Sequence, residues 1–178
     1  RSQGGTWQTI WSQSHICKDC TVDINKTVTF QGGGEVAVYE NDLWGMSMIN
    51  VDASIWKYRR GSGKVVIALT DTGINKGHED LNDHIWVNLD EIPNNNVDDD
   101  DNGYIDDVNG YDFWNDDTTL EDNEGHGTHC SGIAAAEINN SKGVAGASNA
   151  TIMMLKISEL GGSTYGHLIQ AIYYAADN

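Results

Sequence analysis

Lys64-Val65-Val66-Ile67-Ala68-Leu69 is a short apolar, β-branched run, opened by Gly61-Ser62-Gly63 and closed by Asp71-Thr72-Gly73. A run of that length between turn residues predicts a buried parallel strand ending in a tight turn. At His126 the composition changes to Gly127-Thr128-His129-Cys130-Ser131-Gly132-Ile133-Ala134-Ala135-Ala136, small and alanine-rich, as suits a helix packed closely in a core. Thr151-Ile152-Met153-Met154-Leu155-Lys156-Ile157 reads as the next strand. Thr164 to Asp177 reads as a second helix with Leu168, Ile169, Ile172 and Tyr173 on one stripe. Strand, helix, strand, helix predicts an α/β domain with a mainly parallel sheet. The long polar stretch between Gly73 and His126 is interrupted by apolar Ile85-Trp86-Val87 and Tyr111-Asp112-Phe113. Residues 1–40, rich in Ser, Thr, Gln and Gly and without a sustained period, read as a leader or propeptide remnant, leaving 41–178 as the patterned domain.

The chain has 178 residues and 39% hydrophobic content, enough for one core. No apolar stretch approaches the length of a membrane span. A formal net charge of −17 argues against nucleic-acid binding, which draws on clustered Lys and Arg. Just over half of the 27 acidic residues fall between Asp90 and Glu124, and no Lys or Arg occurs from Gly77 to Ser141. Regularly spaced Asp with Asn and Gly in such a block points to a bound cation rather than a merely solvated face. The three cysteines are the pair Cys17/Cys20 and the single Cys130. The pair suits a bridge in a secreted protein, or a metal or redox site in a reducing one, and Cys130 is expected buried and free. Three glycosylation patterns, at Asn25, Asn139 and Asn149, lean toward secretion.

An Asp just beyond a buried strand and a His opening a glycine-flanked helix lie where open α/β sheets build their sites, at the carboxyl ends of strands. A His serving as general base needs a carboxylate on its other ring nitrogen, to hold the tautomer and stabilise the imidazolium. At a helix N-terminus the dipole disfavours that cation, so the carboxylate matters more. Zinc on His126 and His129 is the competing assignment, but zinc-peptidase helices place their histidines four apart around a Glu, and these are three apart.

Ala68-Leu69-Thr70-Asp71-Thr72-Gly73-Ile74 and Gly125-His126-Gly127-Thr128-His129-Cys130-Ser131-Gly132 resemble the subtilase signatures around the catalytic Asp and His. The resemblance runs from about Leu43-Trp44-Gly45 to Asn178, with the motifs in the subtilisin order. It implies a three-layer subtilisin-like fold, a serine endopeptidase acting on polypeptide substrates, Asp71 as the orienting carboxylate, His126 as the base and His129 as structural. It also implies that Gly161, Gly162 and Ser163, in an extended segment, pair with bound peptide. Nothing in the sequence matches the family's Gly-Thr-Ser-Met-Ala nucleophile segment or its oxyanion Asn, and Ser148 aligns with a structural stretch. The expectation is therefore an N-terminal part of a catalytic domain, its sheet incomplete at the C-terminus and inactive alone. A non-catalytic calcium-binding module on the same fold is the alternative.

Two loops are candidate Ca²⁺ sites. Asp98-Asp99-Asp100-Asp101-Asn102-Gly103-Tyr104-Ile105-Asp106 contains D-x-D-x-N-G, with oxygen ligands at alternate positions and glycine at the sharp turn. Asp98, Asp100, Asn102, the Tyr104 carbonyl and Asp106 are the candidate ligands, although Asn109 stands where an EF-hand has its closing Glu. The second loop is similar to the calcium loop that precedes the catalytic His in thermitase-like subtilases. That likeness assigns Asp112, Asn115, Asp117, Thr119 and Glu121, with Asn115 replacing the usual Asp and Glu121 the usual Gln.

Overall fold

A computed structural model describes residues 27–29, 35–37, 48–49, 51 and 61–178, apart from 139, 141, 160 and 161. Its centre is a parallel sheet of three strands: β3 (Val66–Asp71), β4 (Gly110–Asp112) and β5 (Thr151–Lys156). β5 lies in the middle, paired with β3 over its whole length and with β4 over its last three residues. Two helices follow the expected order: α1 (His126–Ala135) and α2 (Tyr165–Asp177).

β5 shows why the layers form. It is apolar at four successive positions because both of its faces are covered, the usual pattern of a parallel strand. Ile152 and Met154 pack with Leu81, Leu120 and Ala135 of α1, whereas Met153 and Leu155 pack with Tyr111, Phe113 and, from α2, Ala171 and Tyr174. Successive side chains point to opposite faces, so the sheet is sandwiched between the helices. Each of the buried Ile, Leu, Met and Phe side chains contributes about 1.5–3 kcal/mol of transfer free energy. The α/β fold with a parallel sheet is thus present, and its three layers are visible.

Several expectations change in detail. The first strand begins at Val66 and runs through Asp71, so the aspartate belongs to the strand end rather than to the turn. Tyr111-Asp112 belongs to β4, a strand that the surrounding Asp and Asn concealed. On α2 the predicted stripe is not the packed face: Ile169, Ile172 and Tyr173 are exposed, and Ala171 and Tyr174 are buried. The small Ala171 lets the helix approach the sheet, and the Tyr174 hydroxyl has a buried acceptor in Asp107, at 2.5 Å. Within residues 1–40 an antiparallel pair appears, β1 (Thr27–Thr29) with β2 (Glu35–Ala37), where no period was legible. Cys17 and Cys20 lie outside the described residues.

After β5 the chain forms a two-residue ladder, β6 (Ser158–Glu159) against β7 (Gly162–Ser163). Thr164 then caps α2, its Oγ1 accepting from the His167 amide at 3.3 Å. Asp107 ties the polar stretch to the sheet: fully buried, it also accepts from Asn88 and Asn102.

Candidate active site

Asp71 ends β3 and His126 opens α1, and the two side chains meet. His126 Nδ1 lies 2.7 Å from Asp71 Oδ1. The Asp71 side chain is only 9% exposed, whereas that of His126 is 56% exposed, so the imidazole is held from behind and open in front. Among the described residues no serine lies at hydrogen-bond distance from its Nε2.

The backbone brings them together. Gly127 faces the turn after β3 so closely that an added Cβ would lie 2.1 Å from the Gly73 carbonyl oxygen and 3.1 Å from Asp71. Gly73 itself has φ +124°, and an added Cβ would meet the Leu120 and Glu121 carbonyl oxygens at 2.7 Å. Only glycine permits both approaches.

A polar clasp holds the junction. Asp71 Oδ1 accepts from the Thr72 amide at 2.7 Å. Thr72 Oγ1 accepts from the Gly127 amide at 3.0 Å and donates to Asp122 Oδ1 at 2.8 Å. Asp122 further accepts from the amides of Gly125 and Thr128, both at 2.8 Å, and from Thr128 Oγ1 at 2.6 Å. Free amides at a helix start need such acceptors, and a carboxylate there also suits the dipole. Thr72 and Asp122 were not singled out by the sequence. The available signal was an Asp within a turn of the helix start, a common capping arrangement.

The His126 pKa is raised above its ordinary value. The hydrogen bond to Asp71 is the main cause, opposed by partial burial and assisted by the charges of Asp71, Asp122 and Glu124. His129, half-buried and one turn along, has its pKa lowered by burial and by His126. Cys130 is free but only partly buried, a correction to its expected placement: one turn along α1, its Sγ lies beside Asp71 and the imidazole, 3.8 Å from His126 Nδ1 and 4.0 Å from Nε2. Burial pushes its thiol up to about 11, so it stays protonated and is a poor nucleophile.

In the first acidic loop, carboxylate oxygens of Asp98 and Asp100 lie within 4.8 Å of one another and of a third from Glu91. Glu91 was missed because it stands seven residues upstream, across Pro93 and outside the D-x-D spacing. It is 5% exposed and accepts from the Asp99 and Asp106 amides at 2.7 and 3.0 Å. Asn102 donates its amide to Asp98 and Asp100 and its carboxamide to Asp100 and Asp107. Asp106 turns away, accepting from the Asn95 and Asn96 amides, and Tyr104 stacks edge-on against Tyr111. Three converging carboxylates with no basic side chain among them form a hard-oxygen donor set suited to calcium.

The second loop is built differently. Asp112 is fully buried and Asn115, Asp117, Thr119 and Glu121 are exposed. Asp117 Oδ1 accepts from the Thr119 amide, and the Asn115 carboxamide donates to Asp112. A fully buried Lys156 stands against Asp112. Of the substrate-segment residues, Gly162 and Ser163 form β7 and Gly161 lies outside the described residues.

Comparison with known proteins agrees with this geometry. The Subtilase family model, Peptidase_S8, matches residues 62–178. Thermitase of Thermoactinomyces vulgaris is 37% identical over 124 residues, covering 68% of this chain and 36% of thermitase. Subtilisin-like protease 1 of Plasmodium berghei is 38% identical over 110 residues, 61% of this chain and 18% of the relative. The chain thus spans about a third or less of the length of these relatives. The crystal structure of the epidermin leader peptide processing serine protease from Staphylococcus aureus superposes with a TM-score of 0.54 at 23% identity, covering 79% of this chain and 30% of that one, a likeness of fold. With the Asp and His motifs in place at the carboxyl end of a parallel sheet, the chain belongs to the subtilase family.

Proposed function

We propose that the protein carrying these residues is a serine endopeptidase and that Asp71 and His126 are two members of its Asp-His-Ser triad. The observation that supports this most is the 2.7 Å contact between Asp71 Oδ1 and His126 Nδ1, with the imidazole more than half exposed. Asp71 accepts the Nδ1–H, which leaves the Nε2 lone pair free as a base. A serine hydroxyl gives its proton to Nε2 while Oγ attacks the peptide carbonyl carbon. The proton passes to the departing amine, leaving an acyl-enzyme, and water then releases the acid by the reverse transfers. That serine and its oxyanion donors are assigned to residues outside this chain, so the 178 residues alone are inert. Polypeptide is the substrate, and residues 162–163 flank its path. Secretion suits the glycosylation patterns and the Cys17/Cys20 spacing.

Calcium belongs to the same proposal. Glu91, Asp98 and Asp100 would hold it, and it would supply stability by binding only the folded loop.

The test compares residues 1–178 with the complete protein on an unstructured protein substrate, with a serine-reactive covalent probe alongside. Cleavage and labelling are expected only for the complete protein and are lost in its His126→Ala variant. Probe-sensitive cleavage by residues 1–178, or an unaffected His126→Ala enzyme, would refute the assignment.

A further inference from the structure

Lys156 is the last residue of β5, in register with Asp71 on one neighbouring strand and Asp112 on the other. Its side chain is 2% exposed and that of Asp112 is 0% exposed. An ammonium is buried so completely only when it is paired and hydrogen-bonded. Here Nζ lies 3.2 Å from Asp112 Oδ2, 3.2 Å from the Glu121 carbonyl oxygen and 3.8 Å from Glu159 Oε2. Asp112 and Glu121 are the first and last residues of the second loop, so one side chain fastens both ends.

That leaves Asp112 with little to offer a second cation. A carboxylate has about four acceptor positions. Oδ1 accepts from the amides of Trp114 and Asn115 at 2.8 and 3.0 Å, and Oδ2 accepts from Asn115 Nδ2 at 2.9 Å and from Lys156. A dication on the same Oδ2 would stand within roughly 6 Å of the ammonium, given usual calcium–oxygen distances. The other assigned residues face solvent, and among the described residues Asp112, Asp117 and Glu121 do not converge as Glu91, Asp98 and Asp100 do.

We propose that Lys156 is the resident cation of the 112–121 loop, which closes on its ammonium and takes no calcium. The donor set that thermitase-like sequences use is present in outline, but its one buried carboxylate is already neutralised from inside the sheet. Neither peptidase activity nor calcium at Glu91, Asp98 and Asp100 is assumed, because the two arms change only the second loop and the lysine it closes on.

The complete protein, carrying His126→Ala so that no self-digestion can interfere, is compared with the same protein bearing Asp117→Ala and Glu121→Ala. Both positions are exposed, and alanine removes the ligand oxygen outright where Asn or Gln would keep one. Equilibrium dialysis with radiolabelled calcium is expected to give the same number of ions per chain for both, with the same calcium-dependent shift in melting temperature. Loss of one calcium per chain on these substitutions would overturn the proposal. Lys156→Met provides an independent arm. It is expected to melt lower than its parent by at least about 5 °C even in saturating calcium, because Asp112 loses its partner. A Lys156→Met protein that melts with its parent in calcium would also overturn it.

Discussion

Two buried aspartates stand at the same level of the sheet, on either side of Lys156. Asp71 ends β3 and meets an imidazole that is more than half exposed; Asp112 ends β4 and meets an ammonium with no access to water. The same carboxylate thus serves opposite ends according to its partner. A permanent, enclosed cation makes Asp112 a fastening, whereas a titratable ring more than half exposed lets Asp71 fix the orientation and tautomer of a group that can still exchange protons with its surroundings. Lys156 is in register with both, and its contacts go to Asp112 and the Glu121 carbonyl, leaving Asp71 to His126.

The contrast fails most visibly if the histidine proves dispensable. In the complete enzyme, His126→Ala should lower turnover by about 10⁶ and Asp71→Asn by about 10⁴, the scale of triad removals elsewhere, with melting temperatures nearly unchanged. Steady-state kinetics on an oligopeptide, paired with thermal melts, check both. Asp112→Asn should do the reverse. By stranding a buried ammonium it should cost about 3–5 kcal/mol of stability in denaturant titrations, in calcium or in chelator alike. A calcium-dependent cost would return the loop to calcium.

The first loop sharpens the comparison because it has acid without a cation of its own. With calcium at a hundred times its dissociation constant, binding there adds about 2.7 kcal/mol of apparent stability. Asp98→Asn with Asp100→Asn should remove that gain, seen as a melting temperature that no longer responds to chelator.

The smallest effect concerns pH. The raised His126 pKa means that the Asp71 pairing stabilises the fold fully below the unfolded histidine value, near 6.5, and that this is lost as pH rises through the folded value. Base catalysis runs the other way, gaining as the ring deprotonates. The His126 titration, followed by NMR on residues 1–178, should have its midpoint moved to lower pH by Asp71→Asn, and an unmoved midpoint would contradict the pairing.

The meeting of Asp71 and His126 was legible because the motifs are local: a β-branched run closed by Asp71-Thr72-Gly73 and a glycine-flanked His126 each announce a strand end and a helix start. What joins them was not, since Thr72, Asp122 and Gly127 matter through contacts spanning about fifty residues of chain. The alternating Asp pattern singled out Asp98 and Asp100, which converge in space, but not Glu91, which joins them from a separate turn. β4 was hidden because three residues flanked by Asp and Asn carry too little pattern, and their strand character comes from pairing with β5. On α2 the periodicity was real but its buried face was misassigned: hydrophobicity favoured Ile169 and Ile172, while close packing favoured Ala171.

The clasp around Asp122 has a consequence for how the site fails. Because one carboxylate gathers the Thr72 hydroxyl and the amides of Gly125 and Thr128, the strand turn and the helix start cannot separate one bond at a time. Fraying of the first turn of α1, ordinarily among the cheapest motions of a helix, is here coupled to displacement of the end of β3. Hydrogen exchange at the Gly127 and Thr128 amides should therefore be as slow as in the sheet rather than as fast as at a helix end, and the imidazole keeps its alignment until the domain itself opens.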